Sequence, residues 1–405
     1  MTSKNHPTEL VVVALTLNFV AFFAAAVWFY WHNSVYVATY PFNSFLPAPV
    51  TRFGDFFGTG DLWIREKFFG IGYGMSYFPA TYLPVDLSTR FFPWPWGAAF
   101  AALLSGMGLL LFGTFKIERS AQVPWARCLL VVIVLLTSYP TVFLIHTGNI
   151  ELWVIGSIVI GLWLSLSEKH LSAGIWLGIA VSLKLIPIVF IVAFVYRRKV
   201  ASIIKCCLGL VIGAAMSTAL PLILYSGGLR DGIGVFSRLR ESQRMYLELM
   251  VWGGAGTHFG HSLLNGINAL FGQYTRQRTW WIPVLMVGCL IFAALFFLQA
   301  RLKASLGEVL ITCAVGICLL APTSTDYKLT AFFPGLIVLF TEVPAARSYF
   351  LTIMSCLVIA PKPYFRTSVC DHCTSSVWLT PLLMVVLLIG VVVFNVSTFL
   401  RLKHQ

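Results

Sequence analysis

Apolar runs follow one another along almost the whole chain, separated by short polar or basic breaks, and this pattern predicts α-helical membrane spans. The runs fall at 10–31, 96–115, 129–145, 150–166, 171–196, 206–225, 280–299, 309–320, 329–340, 350–360 and 377–400. They are long and uninterrupted rather than alternating, and a helix satisfies its own backbone in lipid, so a barrel is excluded. Several are shorter than the about 20 residues of a full crossing; either they extend further than drawn, or they are half-helices lining a cavity.

Basic residues flank the runs: Lys4, Lys116, Arg119, Arg127, Lys169, Arg197, Arg198, Lys199, Arg301, Lys303, Arg347, Arg401 and Lys403. The positive-inside rule places them, and both termini, in the cytoplasm. The run 171–196 then has basic flanks at both ends, which one crossing cannot have. It reads as a hairpin whose tip is Lys184-Leu185-Ile186-Pro187, where Pro187 breaks the helix and the lysine needs water or a partner. The expected fold is an all-α polytopic integral membrane protein, one membrane-embedded domain over 1–405, with about 11–12 transmembrane segments and outer interfacial helices. Its outer parts are a loop at 32–95, the turn 146–149, a second region at 226–279, the turn 323–328 and the stretch 362–376. The first run is too long, and lacks the small-residue site, for a cleavable signal peptide.

Composition supports this class. The chain is 58% hydrophobic and 11% charged, with mean hydropathy +0.84, far from soluble proteins. The net charge of +13 is mostly the cytoplasmic collar, with anionic lipid headgroups of the bilayer as its partner. Nucleic-acid binding needs a basic soluble face, which this chain lacks. Seven of nine cysteines sit in or beside spans as small packing residues. Cys370 and Cys373, in the outer sequence CDHC, are either incidental or a strained disulfide.

Unusual polar residues concentrate on the outer face: Asp55, Asp61, His146, Asn149, Glu151, Lys184, His258, His261, Asn265, Asp326, Tyr327 and Lys328. The segment 52–84 is the densest, with carboxylates among aromatics and glycines. Asp55, between Gly54 and Phe56 and near Phe53 and Phe57, suits a general base, since partial desolvation raises a carboxylate's pKa; the plainer reading is an exposed acid or helix cap. Asp61 after Gly60 suits a helix N-cap, and Arg65 a headgroup or phosphate. Tyr77 belongs either to an interfacial aromatic belt or to a sugar-stacking platform. Gly148 supplies a sharp bend and Asn149 a cap for the next helix. Lys184, deep in an apolar run, calls for an anion, which a lipid phosphate would supply. Segment 230–244 is basic and amphipathic, fit to lie in the interface. Asp326 and Lys328 form either a salt-bridged turn or a phosphate contact.

Taken together, the acid Asp55 soon after the first helix, Tyr77-Phe78-Pro79, the pair Gly148-Asn149, Lys184–Pro187, His261-Ser262-Leu263 and Pro322-Thr323-Ser324-Thr325-Asp326 resemble glycosyltransferase family 87. That resemblance implies the GT-C fold and a hexosyltransferase, mannose favoured, that uses a polyprenyl-phosphate sugar. It also implies a glycan or glycolipid acceptor and an active site on the periplasmic side of a bacterial inner membrane. By position, Asp55 matches the catalytic base and Lys184 the intramembrane lysine. Asp61, Arg65, Tyr77, Asn149, His258, His261, Asp326, Tyr327 and Lys328 are the expected substrate-binding residues. Tyr327 and Lys328 stand where the family usually has two histidines, Phe78 replaces a proline and His261 a glutamine, departures that bear on donor sugar and acceptor. The implied reaction is one inverting displacement in which phosphate leaves beside cations, with no metal or cofactor required. The rival classes are a flippase or transporter for a lipid-linked sugar, and an O-antigen polymerase or ligase. Transporters often show internal repeats, and this chain has none that is evident.

Overall fold

The computed structural model describes residues 6–32, 78–92, 95–225, 229–248, 260–271, 278–321, 324–342, 345–361, 366–367, 370–374 and 376–403. Helix α1 spans His6–His32. A 3-10 turn at Pro79–Thr81 leads into α2 (Tyr82–Phe91), followed by α3 (Pro95–Ser120), α4 (Trp125–Thr137), α5 (Tyr139–Thr147), α6 (Glu151–Leu166) and α7 (His170–Leu183). A second 3-10 turn, Ile186–Phe190, precedes α8 (Ile191–Val195), α9 (Val200–Tyr225), α10 (Leu229–Tyr246), α11 (Leu263–Phe271), α12 (Arg278–Arg301) and α13 (Leu306–Leu320). A third, Asp326–Phe332, opens α14 (Phe333–Thr341), and α15 (Ala346–Ile359) and α16 (Ser376–Lys403) complete the series. The expected all-helical membrane architecture holds, with one addition: strands β1 (Arg366–Thr367) and β2 (Cys370–Thr374) pair antiparallel. The backbone of CDHC therefore lies in a small hairpin; the side chains of Cys370 and Cys373 are outside the described residues.

Among the described residues, five helices are long and apolar enough to cross a bilayer, at Thr8–Val27, Gly97–Ser120, Val200–Leu224, Ile282–Arg301 and Trp378–Leu400. The run 129–145 is not the straight span its hydropathy suggests, because α4 and α5 meet at a 57° bend. Pro140 has no N–H to continue the helix, and Ser138 turns extended at φ −69°, ψ 144°. The freed Leu135 carbonyl accepts the hydroxyls of Ser138 at 2.8 Å and Thr141 at 2.7 Å, which removes the cost of an open backbone group in an apolar setting. The remaining apolar helices are shorter. At about 1.5 Å per residue, α6 and α7 reach roughly 24 Å and 21 Å, short of a hydrocarbon core of about 30 Å.

The chain gathers into two compact units. In one, holding α2, most of α3 and α6–α10, the hairpin reading of 171–196 holds. Helix α7 ends at Lys184, and the chain returns far enough for Arg198 Nη2 to donate to the Ser165 carbonyl at 3.0 Å, beside the start of α7. A Cβ on Gly161 would touch both Phe194 at 3.0 Å and the Ala173 carbonyl at 3.1 Å, so the returning helical segment runs back beside α6 and α7. Helix α9 then packs parallel to α7 at backbone distance. A Cβ on Gly174 or Gly178 would stand 2.0 or 2.3 Å from the Cys206 or Leu210 carbonyl oxygen. On Gly209 or Gly213 it would stand 2.1 Å from the Leu171 or Ile175 oxygen. Two small-xxx-small stripes thus face each other, the packing that brings helices together where lipid supplies no hydrophobic drive. In helix α10, Val235 packs on Tyr82 and Leu222, while Phe236 and Met245 are exposed.

The other unit holds α1, α4, the start of α5 and α11–α16. Its ties include a buried polar knot across four helices. Glu308, fully buried, pairs with Arg347 and accepts from Asn395 Nδ2 at 2.6 Å and Gln299 Nε2 at 3.2 Å. Gln299 also donates to Thr312 at 2.8 Å. Closer to the middle of α1, Asn18 donates to the Val134 carbonyl of α4 at 3.0 Å.

Candidate functional site

The first cluster is built at two helix ends. Helix α5 stops where its Leu144 carbonyl accepts the N–H groups of Gly148 at 3.0 Å and Asn149 at 3.3 Å. Gly148 takes φ 69°, a left-handed value that glycine adopts without strain. Buried Asn149 then turns its Oδ1 to the Glu151 N–H at 3.0 Å, satisfying an orphan donor at the start of α6. The sequence reading of this turn, bend at Gly148 and cap at Asn149, is what the structure has.

The same amide oxygen accepts from Lys184 Nζ at 3.1 Å, and the ammonium forms an ion pair with the Glu151 carboxylate. Lys184 sits at the end of α7 in an extended conformation, φ −149°, ψ 133°. The helix stops there because Pro187 lacks an N–H and clashes with the carbonyl four residues earlier. That carbonyl, of Leu183, is not left open: the Thr81 hydroxyl donates to it at 3.1 Å. The 3-10 turn that closes the aromatic segment therefore abuts the Lys184 break. The lysine side chain is 17% exposed and Glu151 8%. Its anion in this structure is thus a residue of the chain.

The second cluster lies in the other unit. Ser262 caps α11, its hydroxyl accepting the Asn265 N–H at 3.1 Å and bonding the Asn265 side chain. One residue earlier, His261 Nε2 lies 2.6 Å from Asp326 Oδ1, and its backbone N–H donates to the Ser324 carbonyl at 2.6 Å. Tyr139, at the bend between α4 and α5, donates its hydroxyl to Asp326 Oδ2 at 3.2 Å. Asp326 and His261 are sealed from solvent at 1% each. Together they fix the turn 324–328. Lys328, half-buried, follows directly, its N–H bonded to the Thr325 carbonyl at 2.9 Å.

Each cluster lies within its own unit. Asp55, Asp61, Arg65, Tyr77 and His258 lie outside the described residues, and Tyr327 is described only by its backbone in the 3-10 turn. Two partners were not among the expected site residues. Glu151, noted only as an outer polar group, is the counter-ion of Lys184; its signal was a carboxylate two residues after Asn149 in the same first turn. Tyr139 gave the weaker signal of a phenol beside a mid-span proline.

No curated protein matches the sequence. The profile of glycosyltransferase family 87 matches residues 77–322, a stretch that holds Asn149, Glu151, Lys184 and His261 and stops just before Asp326. With more than half of its length so matched and an all-helical, multi-span architecture of the GT-C type, this chain belongs to glycosyltransferase family 87.

Proposed function

We propose that this membrane glycosyltransferase moves a hexose, mannose favoured, from a polyprenyl-phosphate sugar to a glycan or lipid-linked acceptor at the outer face of a bacterial inner membrane. The observation that carries this reading is the position of Lys184. A cation at the break of an apolar helix, partly exposed and next to the end of the aromatic segment at Thr81, suits a phosphate that arrives on a lipid. A nucleotide sugar would come from water and needs no such intramembrane cation.

In the proposed reaction Asp55 takes the proton of the acceptor hydroxyl, whose oxygen attacks the anomeric carbon. The bond from that carbon to the phosphate oxygen breaks, with inversion, and polyprenyl phosphate leaves. The charge that develops on it is stabilised by Lys184, by Lys328 or by outer arginines. The His261–Asp326–Tyr139 cluster holds the turn that carries Lys328. Asp61, Arg65, Tyr77, Asn149, His258, His261, Asp326 and Tyr327 complete the proposed substrate-binding set.

The test uses the full chain in lipid nanodiscs, with membrane glycolipids as acceptor and two radiolabelled donors in parallel, polyprenyl-phosphate mannose and a nucleotide-linked mannose. Label moves from the lipid donor only, and Asp55→Asn lowers that rate by about 10²–10⁴. Asp61→Asn has a far smaller effect, because Asn caps a helix about as well as Asp. Transfer from the nucleotide donor alone overturns the reading.

A further inference from the structure

The ammonium of Lys184 already has a negative partner, and that partner is well placed to let go. Glu151 lies in the first turn of α6, where the helix dipole favours a carboxylate and backbone N–H groups point outward. A carboxylate there keeps a favourable field when the lysine turns away from it. Lys184 carries one positive charge and three N–H donors, and Asn149 and Glu151 are among its partners. Any phosphate that reaches it must share or take over a charge that Glu151 neutralises.

We propose that Glu151 is a built-in competitor for the phosphate site, pairing with Lys184 in the empty enzyme and displacing the spent polyprenyl phosphate after transfer. The inference rests on the reading of Lys184 as the phosphate-binding residue. The chemistry of the reaction explains why a competitor helps. The donor is a phosphodiester with one negative charge, whereas the product is a monoester with about 1.5–2 at neutral pH. A lone lysine would hold product more tightly than donor, and release of product limits many enzymes. A carboxylate that returns to the ammonium offsets that bias. Asn149 stays bonded to the Glu151 N–H throughout and keeps the two partners in register.

The experiment measures binding of farnesyl phosphate, a short prenyl monophosphate, to the full chain in nanodiscs. The proteins compared are wild type, Glu151→Gln, Glu151→Asp, Lys184→Gln and the double variant Glu151→Gln/Lys184→Gln. Glu151→Gln tightens binding by about tenfold, which corresponds to about 1.4 kcal/mol, and Glu151→Asp, with its carboxylate drawn back, tightens it less. Lys184→Gln weakens binding, and in the double variant the gain from Glu151→Gln is gone. In turnover, Glu151→Gln makes farnesyl phosphate a stronger product inhibitor. Inorganic phosphate, run as a second probe, shows the same ranking at weaker affinity if the headgroup alone is recognised. If Lys184→Gln weakens binding while both Glu151 variants bind as wild type or worse, the competitor is refuted and the phosphate role of Lys184 stands. If Lys184→Gln binds as wild type, the phosphate role itself fails. If neither Glu151 variant yields folded protein, the pair is a fold element and the proposal is overturned.

Discussion

His261 and Asp326, 65 residues apart in sequence, meet at 2.6 Å in a site closed to solvent, and Tyr139 grips the other carboxylate oxygen. Removing one member takes a buried partner from the others. Asp326→Ala therefore destabilises by about 3–5 kcal/mol, the usual cost of breaking a buried pair. Tyr139→Phe costs about 1.5–3 kcal/mol, one bond to a charged acceptor. His261→Gln, which keeps a donor in reach, costs less than His261→Ala. Thermal unfolding in detergent, followed by the loss of helical circular dichroism, gives the order.

The glycine stripes of α7 and α9 predict a contrast between chemically identical substitutions. Gly178→Ala forces a methyl to within 2.3 Å of the Leu210 carbonyl oxygen, and backbone cannot move aside as a side chain can. Overpacking of this kind costs about 1–3 kcal/mol. Gly108, in α3, has nothing within 4 Å of its would-be Cβ, so Gly108→Ala stabilises by about 0.5–1 kcal/mol through helix propensity alone. Equal melting shifts for the two would contradict the close approach of α7 and α9.

Arg347 answers the buried charge of Glu308. Arg347→Met leaves that carboxylate with neutral partners only and lowers stability by about 3–5 kcal/mol. Adding Glu308→Gln removes the orphaned charge and returns part of the loss. A double-mutant cycle read by thermal unfolding measures the coupling, and strict additivity would mean that the pair is not formed.

Sidedness is checked by chemistry on cells. In a background without native cysteines, Asp61→Cys and Gly227→Cys react with a membrane-impermeant thiol reagent from outside, whereas Val200→Cys, next to the basic Arg197–Lys199 run, reacts only after permeabilisation. The reverse pattern inverts the topology.

What the sequence disclosed was local. Gly148 and Asn149 declare a bend and a cap because both act on their own backbone. Pro187 declares a break because its ring and its missing N–H act on the turn just before it. The partner of Lys184 depended on which helix end folds beside α7, and a hydropathy pattern carries no such register. The glycines of α7 and α9 stand at visible four-residue spacing, yet spacing names a sticky face and not its mate. Likewise the 129–145 run is apolar enough on average that hydropathy passed over Pro140, whose bend delivers Tyr139 to Asp326.

The knot at Glu308 has a consequence for how the chain is made. Synthesis delivers Glu308 with Gln299 and Thr312 at hand, but Asn395 comes 87 residues later and Arg347 in between. While the ribosome works through that stretch, α13 carries an acidic side chain whose cation and whose strongest amide donor have not yet emerged. This part of the bundle can lock only after α16 has entered the bilayer. A nascent chain stalled before that point shows membrane surveillance an unneutralised carboxylate, and release into the finished bundle is timed by its last helix.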